Sequence, residues 1–314
     1  METLTTPVNE NERQIISVDG GHMFYDKCIV RGPEHPPLFI KGFNKTLFTD
    51  YTAAESTKQL LIQEANAYDA LKGTGYKFLP DDVAYDRKSD ILYMTAHMPQ
   101  DGWLWDLPDD HALQQQYVSD VLQALKTLEC IPAKVLIPTD RQQSLDELYN
   151  EGWNLLRSPR VRKKVADRLA YFRSDFYPHV QSGVEQITDF LQEETFDFAH
   201  SLVRNYVALP RPSVAHFDAR QSNIAWHPDH GAKLVDWSWA SAAPLGADRT
   251  MFIIDIFKAG LDVSGLVDYH LEPNYALLQM GHWLARGARQ SSPGDNNVRF
   301  HQMASAVSAA TLLF

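Results

Sequence analysis

One stretch of the chain combines side chains that can hold a cation with one that can take up a proton. The run VAHFDARQSNIAWHPDHGAKLVDWS contains the string H-x-D-x-x-x-x-N, which includes Asp218 and Asn223. Two short strand patterns, at 223–227 and 232–237, flank a Pro-Asp-His-Gly turn, and the second strand is predicted to end at Asp236. The sequence therefore predicts that two carboxylates and one amide emerge from a loop and a hairpin.

These groups suit the transfer of a phosphoryl group to a hydroxyl. That reaction needs little covalent help from a protein, but cations must lie across the phosphates and one group must orient the attacking hydroxyl. Asp218 can accept a hydrogen bond, and then a proton, from the hydroxyl. The amide oxygen of Asn223 and the carboxylate of Asp236 are ligands of the kind that Mg2+ binds beside water and phosphate. The plainer alternative is a buried, hydrogen-bonded histidine beside two hairpin carboxylates.

The two motifs together resemble a known superfamily. HFDARQSN followed by LVDWS is similar to the catalytic loop and metal-binding motif of protein-kinase-like enzymes. Asp-Trp in place of Asp-Phe, with no glycine after it, resembles the aminoglycoside phosphotransferases and related small-molecule kinases. The resemblance implies an α+β, two-lobed protein-kinase-like fold, with a small antiparallel-sheet N-lobe that carries one helix and a larger, mainly helical C-lobe. It also implies ATP and Mg2+ as cofactors.

A lysine and a glutamate near the start of the chain extend the resemblance. Pro37–Phe43 reads as a strand in which Lys41 follows three apolar residues, as does the lysine of the kinase V-A-I-K strand. Burying an unpaired ammonium is costly, so Lys41 is either an exposed edge-strand lysine or needs partners. The resemblance supplies nucleotide phosphates and a helix glutamate as those partners. Apolar spacing predicts a helix at Ala53–Leu71, where Glu64 is the candidate and Glu55 is its rival.

A glycine turn is predicted before that strand. The β-rich runs at 14–18 and 23–30 flank Asp-Gly-Gly-His, so the sequence predicts a hairpin with Gly20 and Gly21 in its turn. The resemblance places such a turn over the nucleotide phosphates. The turn lacks the G-x-G-x-x-G string, and an ordinary surface turn is the alternative.

A second nucleotide contact is expected where the strand patterns end. Runs at 77–86 and 91–97 read as two strands, and the Pro/Gly-marked segment that begins at Met98 breaks the pattern. We predict the hinge between the lobes here, with residues 1–98 as the nucleotide-binding lobe and residues 99–314 as the catalytic and substrate-binding lobe. The resemblance implies that the backbone of Ala96 and Met98 faces the base. The tryptophans that follow, Trp103 and Trp105, either stack on a ligand or pack between the lobes.

Two charged residues near the motif have two interpretations each. Arg220 lies where protein kinases that modify serine or threonine have a lysine, so it can neutralise the transferring phosphoryl oxygens or simply pair with a nearby carboxylate. The related kinases have an aspartate that braces the catalytic loop. Alignment on Leu245-Gly246 places that position at Met251, which leaves Asp248 as the substitute candidate. Asp248 also suits a helix N-cap.

Composition excludes several other classes of protein. The 314-residue chain is 44% hydrophobic and 22% charged, as in ordinary globular proteins, and its net charge of −11 argues against nucleic-acid binding. Two cysteines form no metal-ligand pattern and fit a reducing compartment. The first residues are polar, and no apolar run has membrane-spanning length. We expect a cytoplasmic protein that binds neither membrane nor nucleic acid, with its oligomeric state left open.

We therefore predict an ATP-dependent kinase that phosphorylates a hydroxyl of a small molecule, such as an aminoglycoside, a sugar, an amino alcohol or a related metabolite. Three alternatives stay open. A protein kinase would need an A-P-E-like segment after Asp236, and the sequence has only a short Ser-Ala-Ala-Pro there. A non-catalytic nucleotide-binding protein would not need Asp218. A metal-dependent hydrolase could use His216 with the two aspartates, but it leaves Lys41 and Asn223 unexplained.

Overall fold

The computed structural model describes residues 14–18, 25–32, 35–44, 46, 51–136, 145–289 and 296–314. The predicted turn glycines Gly20 and Gly21 lie outside these residues. None of the helices that the described residues form is both long and apolar enough to cross a membrane.

An antiparallel sheet with one helix forms the N-lobe. Its strands follow the spatial order β1-β2-β3-β5-β4. The pairing register sets Lys41 of the central strand between Lys27 and Leu92 of its two neighbours. The helix α1 (Tyr51–Gly73) connects the third and fourth strands, as predicted. The strands are β1 (Gln14–Ser17), β2 (Tyr25–Gly32), β3 (His35–Phe43), β4 (Ala84–Asp86) and β5 (Ile91–Thr95).

The predicted strand at 77–86 is wrong over most of its length, because only Ala84–Asp86 is extended in the sheet. Pro80 has no amide hydrogen to give to a sheet ladder. The carbonyl of Phe78 instead accepts a hydrogen bond from the amide of Leu234, at 2.7 Å, so this segment is attached to the second half of the chain.

The C-lobe is mainly helical. Its helices are α2 (His111–Glu129), α3 (Leu145–Glu151), α4 (Trp153–Leu156), α5 (Pro159–Phe172), α6 (Ser182–Phe190), α7 (Glu193–Val207), α8 (Ala247–Lys258), α9 (Ser264–His270), α10 (Pro273–Gly287) and α11 (Asn296–Leu313). Two antiparallel pairs of short strands lie among them, β6 (Ser213–Ala215) with β9 (Ser241–Ala243) and β7 (Ile224–His227) with β8 (Gly231–Leu234). The sequence patterns had predicted neither the β6–β9 pair nor α9.

Two helices that the sequence predicted as continuous are each broken. The run 144–156 divides at Gly152, where a Cβ atom would lie 2.6 Å from the backbone of His282, so close packing against α10 requires the glycine. The run 184–205 divides between Phe190 and Phe196, and both of these rings contact Trp153. Six residues along a straight helix would place the two rings on different faces, so the break allows both to reach one tryptophan.

The hydrophobic core joins the two lobes. One cluster of buried side chains contains Leu61 and Leu92 from the N-lobe together with Val121 and Trp226 from the C-lobe. Trp237 also belongs to this cluster and is completely buried. Since Trp237 directly follows Asp236, this packing holds that carboxylate beside the N-lobe. The predicted boundary after residue 98 stays a prediction.

Candidate active site

The motif loop, residues 216–223, contains the H-x-D-x-x-x-x-N string. Its first two amides, those of His216 and Phe217, donate hydrogen bonds to the two carboxylate oxygens of Asp248, at 2.6 and 2.9 Å. Phe217 has a left-handed backbone, with φ of 64°, which is uncommon for residues other than glycine. Asp248, which is 2% exposed, thus braces the start of the loop through these two hydrogen bonds. The N-cap of helix α8, for which Asp248 was also a candidate, is Gly246.

The carboxylate of Asp218 is held by two neighbours in the motif loop. Arg220 donates to it through Nε and Nη2, at 2.6 and 2.7 Å, in a bidentate pair. The side-chain amide nitrogen of Asn223 donates both to the Asp218 carboxylate and to the Asp218 carbonyl, at 2.8 Å each. Both donated bonds use the nitrogen of Asn223, so its Oδ1 oxygen is the end that can bind a cation.

The β7–β8 hairpin brings Asn223 and Asp236 together. Ile224 pairs with Leu234, and the amide of Val235 donates to the carbonyl of Asn223 at 3.0 Å, so the two candidate ligands flank one end of the hairpin. Strand β8 ends at Leu234, earlier than predicted, because Asp236 takes a left-handed backbone with φ of 61°. That turn directs the chain out of the hairpin at the candidate metal ligand.

His216 connects this hairpin to the motif loop. Its Nδ1 atom accepts a hydrogen bond from the amide of Asp218 at 3.2 Å, and its Nε2 atom lies 2.9 Å from the carbonyl of Val235. The ring therefore forms one hydrogen bond to the motif loop and one to the hairpin. The ring is completely buried. His216 therefore fixes the distance between the loop and the hairpin and does not itself reach the cleft.

Lys41 forms the predicted pair with Glu64, at 2.7 Å, and also binds Asp236 at 3.1 Å. The rival, Glu55, instead accepts a hydrogen bond from Gln59 on its own helix. Burial alone would lower the pKa of Lys41, but the carboxylates of Asp236 and Glu64 outweigh it and raise that pKa. Lys41 therefore stays charged.

Asp236 stays charged as well. Its burial favours the neutral acid, but Lys41 and the hydroxyl of Ser238 lower its pKa to about 2. An anionic oxygen and an amide oxygen at one hairpin end are a donor set that suits Mg2+. No group of three or more His, Cys, Asp or Glu side chains with metal-binding geometry occurs among the described residues, so a cation here would keep water or phosphate ligands.

A cleft of about 350 Å³ lies between the lobes next to these groups. Its wall includes side chains from both lobes, among them Val18, Lys41, Glu64, Met94, Trp105 and Asp236. Most side chains of the wall are apolar, and a few charged ones lie among them. This mixture suits a ligand that has both an apolar and a charged part.

The backbone of Ala96, His97 and Met98 borders the cleft. The amide of Ala96 donates to the carbonyl of Pro37, and the carbonyl of His97 accepts from the indole of Trp105. Within the described residues, the carbonyl of Ala96 and the amide of Met98 have no hydrogen-bond partner, and both residues line the cleft. This leaves one acceptor and one donor for a ligand.

The two tryptophans after this segment lie in different surroundings. The indole of Trp105 lines the cleft. Trp103 instead packs against the ring of His97, with ring centres 4.0 Å apart, and against His230. Only Trp105 is therefore placed to contact a ligand.

One residue of the site had not been predicted. Asp255 is 7% exposed and accepts a hydrogen bond from the amide of Gln221, at 2.9 Å, near the end of the motif loop. The signal was present in the apolar run MFIIDIF, which Asp255 interrupts, because a carboxylate within a buried helix face must find partners.

A family model described as the phosphotransferase enzyme family matches residues 41–280, from Lys41 to the middle of α10. The chain belongs to this family. The match confirms the prediction of a phosphotransferase and includes Lys41, Glu64, Asp218, Asn223 and Asp236. No curated protein matches the sequence of this family member.

Solved structures agree with the family on the fold. Choline kinase LicA from Streptococcus pneumoniae is similar with a TM-score of 0.52 at 9% identity, over 94% of this chain and 92% of that one. A thermostable mutant of aminoglycoside phosphotransferase APH(4)-Ia has a TM-score of 0.50 at 12% identity, over 95% of this chain and 94% of that one. These likenesses confirm the predicted two-lobed, protein-kinase-like α+β fold.

Proposed function

We propose that this family member transfers the γ-phosphoryl group of ATP, bound with Mg2+, to a hydroxyl group of a small molecule. The observation that supports this most is that Lys41, Asn223 and Asp236 line one cleft and that Asp218 is hydrogen-bonded to Asn223, although Lys41 is far from the other three in sequence. Bound Mg-ATP would supply the phosphoryl group and much of the charge neutralisation that the transfer needs.

The residues of the cleft divide into binding and reacting groups. Lys41 is proposed to hold the phosphates, positioned by Glu64, and Asn223 and Asp236 to hold Mg2+. The Ala96 carbonyl and the Met98 amide are proposed to hydrogen-bond the base. If the turn with Gly20 and Gly21 lies over the phosphates, it adds backbone donors to the same end of the cleft.

Asp218 is proposed to orient the acceptor hydroxyl and to accept its proton, which ends on a carboxylate oxygen of Asp218. Both oxygens are occupied by the guanidinium of Arg220 in the absence of ligand. A phosphoryl group with several negative oxygens competes with one carboxylate for that guanidinium. We propose that Arg220 moves toward the phosphoryl group when the nucleotide binds, which exposes Asp218 to the acceptor.

The acceptor is proposed to be a small molecule and not a protein side chain. Between Asp236 and α8 the chain has only a single helical turn at Trp237–Trp239 and the short strand β9, and α8 begins at Ala247. This leaves no segment long enough to bind an extended peptide beside Asp218. The likeness to choline kinase LicA and to an aminoglycoside phosphotransferase supports acceptors of the amino alcohol, aminoglycoside or sugar type. The composition supports a cytoplasmic location.

The experiment is a transfer assay with γ-labelled ATP and a panel of aminoglycosides, sugars and amino alcohols, with and without Mg2+. Wild type should label at least one class of acceptor, and Asp218→Asn should lower kcat by about 10³-fold or more while it still binds nucleotide. Nucleotide binding without transfer to any acceptor would favour the non-catalytic alternative. Turnover of phosphate esters without ATP would favour the hydrolase.

A further inference from the structure

Two buried aspartates of one helix hold opposite ends of the motif loop. Asp248, in the first turn of α8, binds the amides of His216 and Phe217. Asp255, further along α8, binds the amide of Gln221 at 2.9 Å and the side-chain nitrogen of Gln221 at 3.2 Å. The loop is therefore fastened before Asp218 and again after it.

The spacing of the two aspartates gives this arrangement its rigidity. They lie two turns apart on α8, a separation of about 10 Å along the axis, and so project from the same face. The helix between them is buried, with Met251, Phe252 and Ile254 in the core. Because a packed helix changes length very little, the two carboxylates fix the distance between the start and the end of the motif loop.

The second fastening acts on the end of the loop that carries Arg220 and Asn223. Gln221 lies between these two residues, and its Oε1 atom also accepts a hydrogen bond from the amide of Leu107 at 3.1 Å. Gln221 thus connects the motif loop to α8 on one side and to the segment after the hinge on the other. A shift of Gln221 would move the guanidinium and the amide oxygen on either side of it.

We propose that Asp255 is a positioning residue for phosphoryl transfer, which holds Gln221 so that Arg220 and Asn223 face the phosphoryl group and the metal ion. This inference rests on the proposed function. Asp255 touches neither ligand and acts only through Gln221.

A purely structural role for Asp255 is the competing explanation, because it also forms an ion pair with Lys258 at 2.6 Å. Burial raises the pKa of Asp255, but Lys258 and the Gln221 amide outweigh it, and the net shift is downward. Removal of Asp255 would leave the ammonium of Lys258 without this carboxylate, and that loss alone could destabilise the fold. A test must therefore separate the loop bond from the ion pair.

Two double variants make that separation. In a Lys258→Met background the lysine is absent, so Asp255→Asn keeps an oxygen for the Gln221 amide and Asp255→Ala does not. We expect Asp255→Asn to keep kcat within about 3-fold of Lys258→Met, and Asp255→Ala to lower kcat about 30-fold. We also expect about tenfold more Mg2+ for half-maximal rate in the alanine double variant alone. All rates are measured well below the unfolding midpoint of the less stable variant.

Equal kcat and equal Mg2+ dependence in the two double variants would overturn the proposal. Hydrogen exchange of the peptide that covers residues 216–223 provides a readout that does not depend on activity. The Gln221 amide should exchange faster in the alanine double variant than in the asparagine one, and equal exchange would also overturn the proposal. If wild type transfers phosphate to no acceptor, the proposed function fails, and the exchange data still decide the role of Asp255.

Discussion

Two cations, one from each lobe, form ion pairs with carboxylates of the candidate site, and the two are held in different ways. Lys41 is 6% exposed and lies between Glu64 and Asp236, with its ammonium 4.7 Å from the ring centre of Tyr25. Arg220 has a side chain that is 44% exposed, and Asp218 in its own loop holds it at 2.6 Å. One cation is fixed by contacts from a distant helix and from the other lobe, and the other by a neighbour two residues away.

This difference in how firmly the two cations are held suggests different roles, with Lys41 in nucleotide binding and Arg220 in the chemical step. Lys41 forms an ion pair with Asp236, and Arg220 forms one with Asp218. Both carboxylates that the proposed reaction uses therefore have a cationic partner before any ligand binds. Lys41 cannot move far, since its departure would leave the buried carboxylate of Glu64 unpaired. The half-exposed fork of Arg220 can move at little cost. Loss of Lys41 should therefore damage both the fold and nucleotide binding, whereas loss of Arg220 should damage the rate alone.

The largest effect is expected for Lys41→Met. The phosphates lose their buried cation, so kcat/KM for ATP should fall by about 10³-fold. Glu64 and Asp236 lose their shared partner, so the free energy of unfolding should fall by about 3 kcal/mol. Urea unfolding and initial rates on the best acceptor measure the two effects. A Lys41→Met protein as stable as wild type would show that the ion pairs around Lys41 contribute little to the fold.

Arg220→Ala should have a smaller and narrower effect. We expect kcat to fall by about 10²-fold, because a charge on the phosphoryl oxygens is lost, while the unfolding midpoint stays near that of wild type. Arg220→Lys is the matched control, since it keeps the charge and loses the fork. Recovery by lysine to within about tenfold of wild type would indicate that charge matters most. No recovery would indicate that the bidentate hold on Asp218 is the main role.

Glu64→Gln tests the N-lobe side of the comparison more gently. Burial raises the pKa of Glu64 to about 7 against the opposing effect of Lys41, so a neutral side chain at this position costs little stability. Glutamine still offers Lys41 an oxygen but no charge. We expect kcat/KM for ATP to fall by about tenfold and the free energy of unfolding to change by less than about 1 kcal/mol. A loss as large as that of Lys41→Met would mean that the Glu64 charge is essential to the position of Lys41.

The residues of the candidate site could be predicted from the sequence because their chemistry is local. Asp218, Arg220 and Asn223 lie in one loop, and the turn residues between the two strands predicted the hairpin that carries Asp236. The pairing of Lys41 with Glu64 was predicted from the resemblance of this strand and this helix to those of protein-kinase-like enzymes.

The remaining features depend on contacts between distant parts of the chain. The loop at 77–83 is held by Leu234, the helix break at Gly152 by α10, and the motif loop by Asp255. A periodic pattern records which face of an element is apolar and carries no information about which element will pack there. For this reason contacts within one loop, such as those among Asp218, Arg220 and Asn223, are easier to predict from the sequence than the positions at which helices break.

The smallest effect concerns the brace at the start of the motif loop and appears as a dependence of stability on pH. Burial raises the pKa of Asp248 from 3.8 to about 6, although His216 and the two loop amides lower it. Folded protein thus keeps a proton that unfolded protein loses first. The stability that this proton contributes is present in full below about pH 4 and is lost as the pH rises through about 6.

Asp248→Asn removes this titration. Because asparagine has one fewer acceptor oxygen, it also weakens one of the two hydrogen bonds from the loop amides at every pH. The stability of wild type relative to Asp248→Asn should therefore decrease between about pH 4 and pH 6.5 and should change little above that. Urea unfolding at half-unit intervals of pH measures the difference, with Asp189→Asn on the exposed face of α6 as the control. A difference that is flat over this range would show that Asp248 holds the loop as a carboxylate throughout. The two amides at the start of the motif loop would then donate to a charged carboxylate at every pH, as the ammonium of Lys41 does, and not to an uncharged acid at low pH.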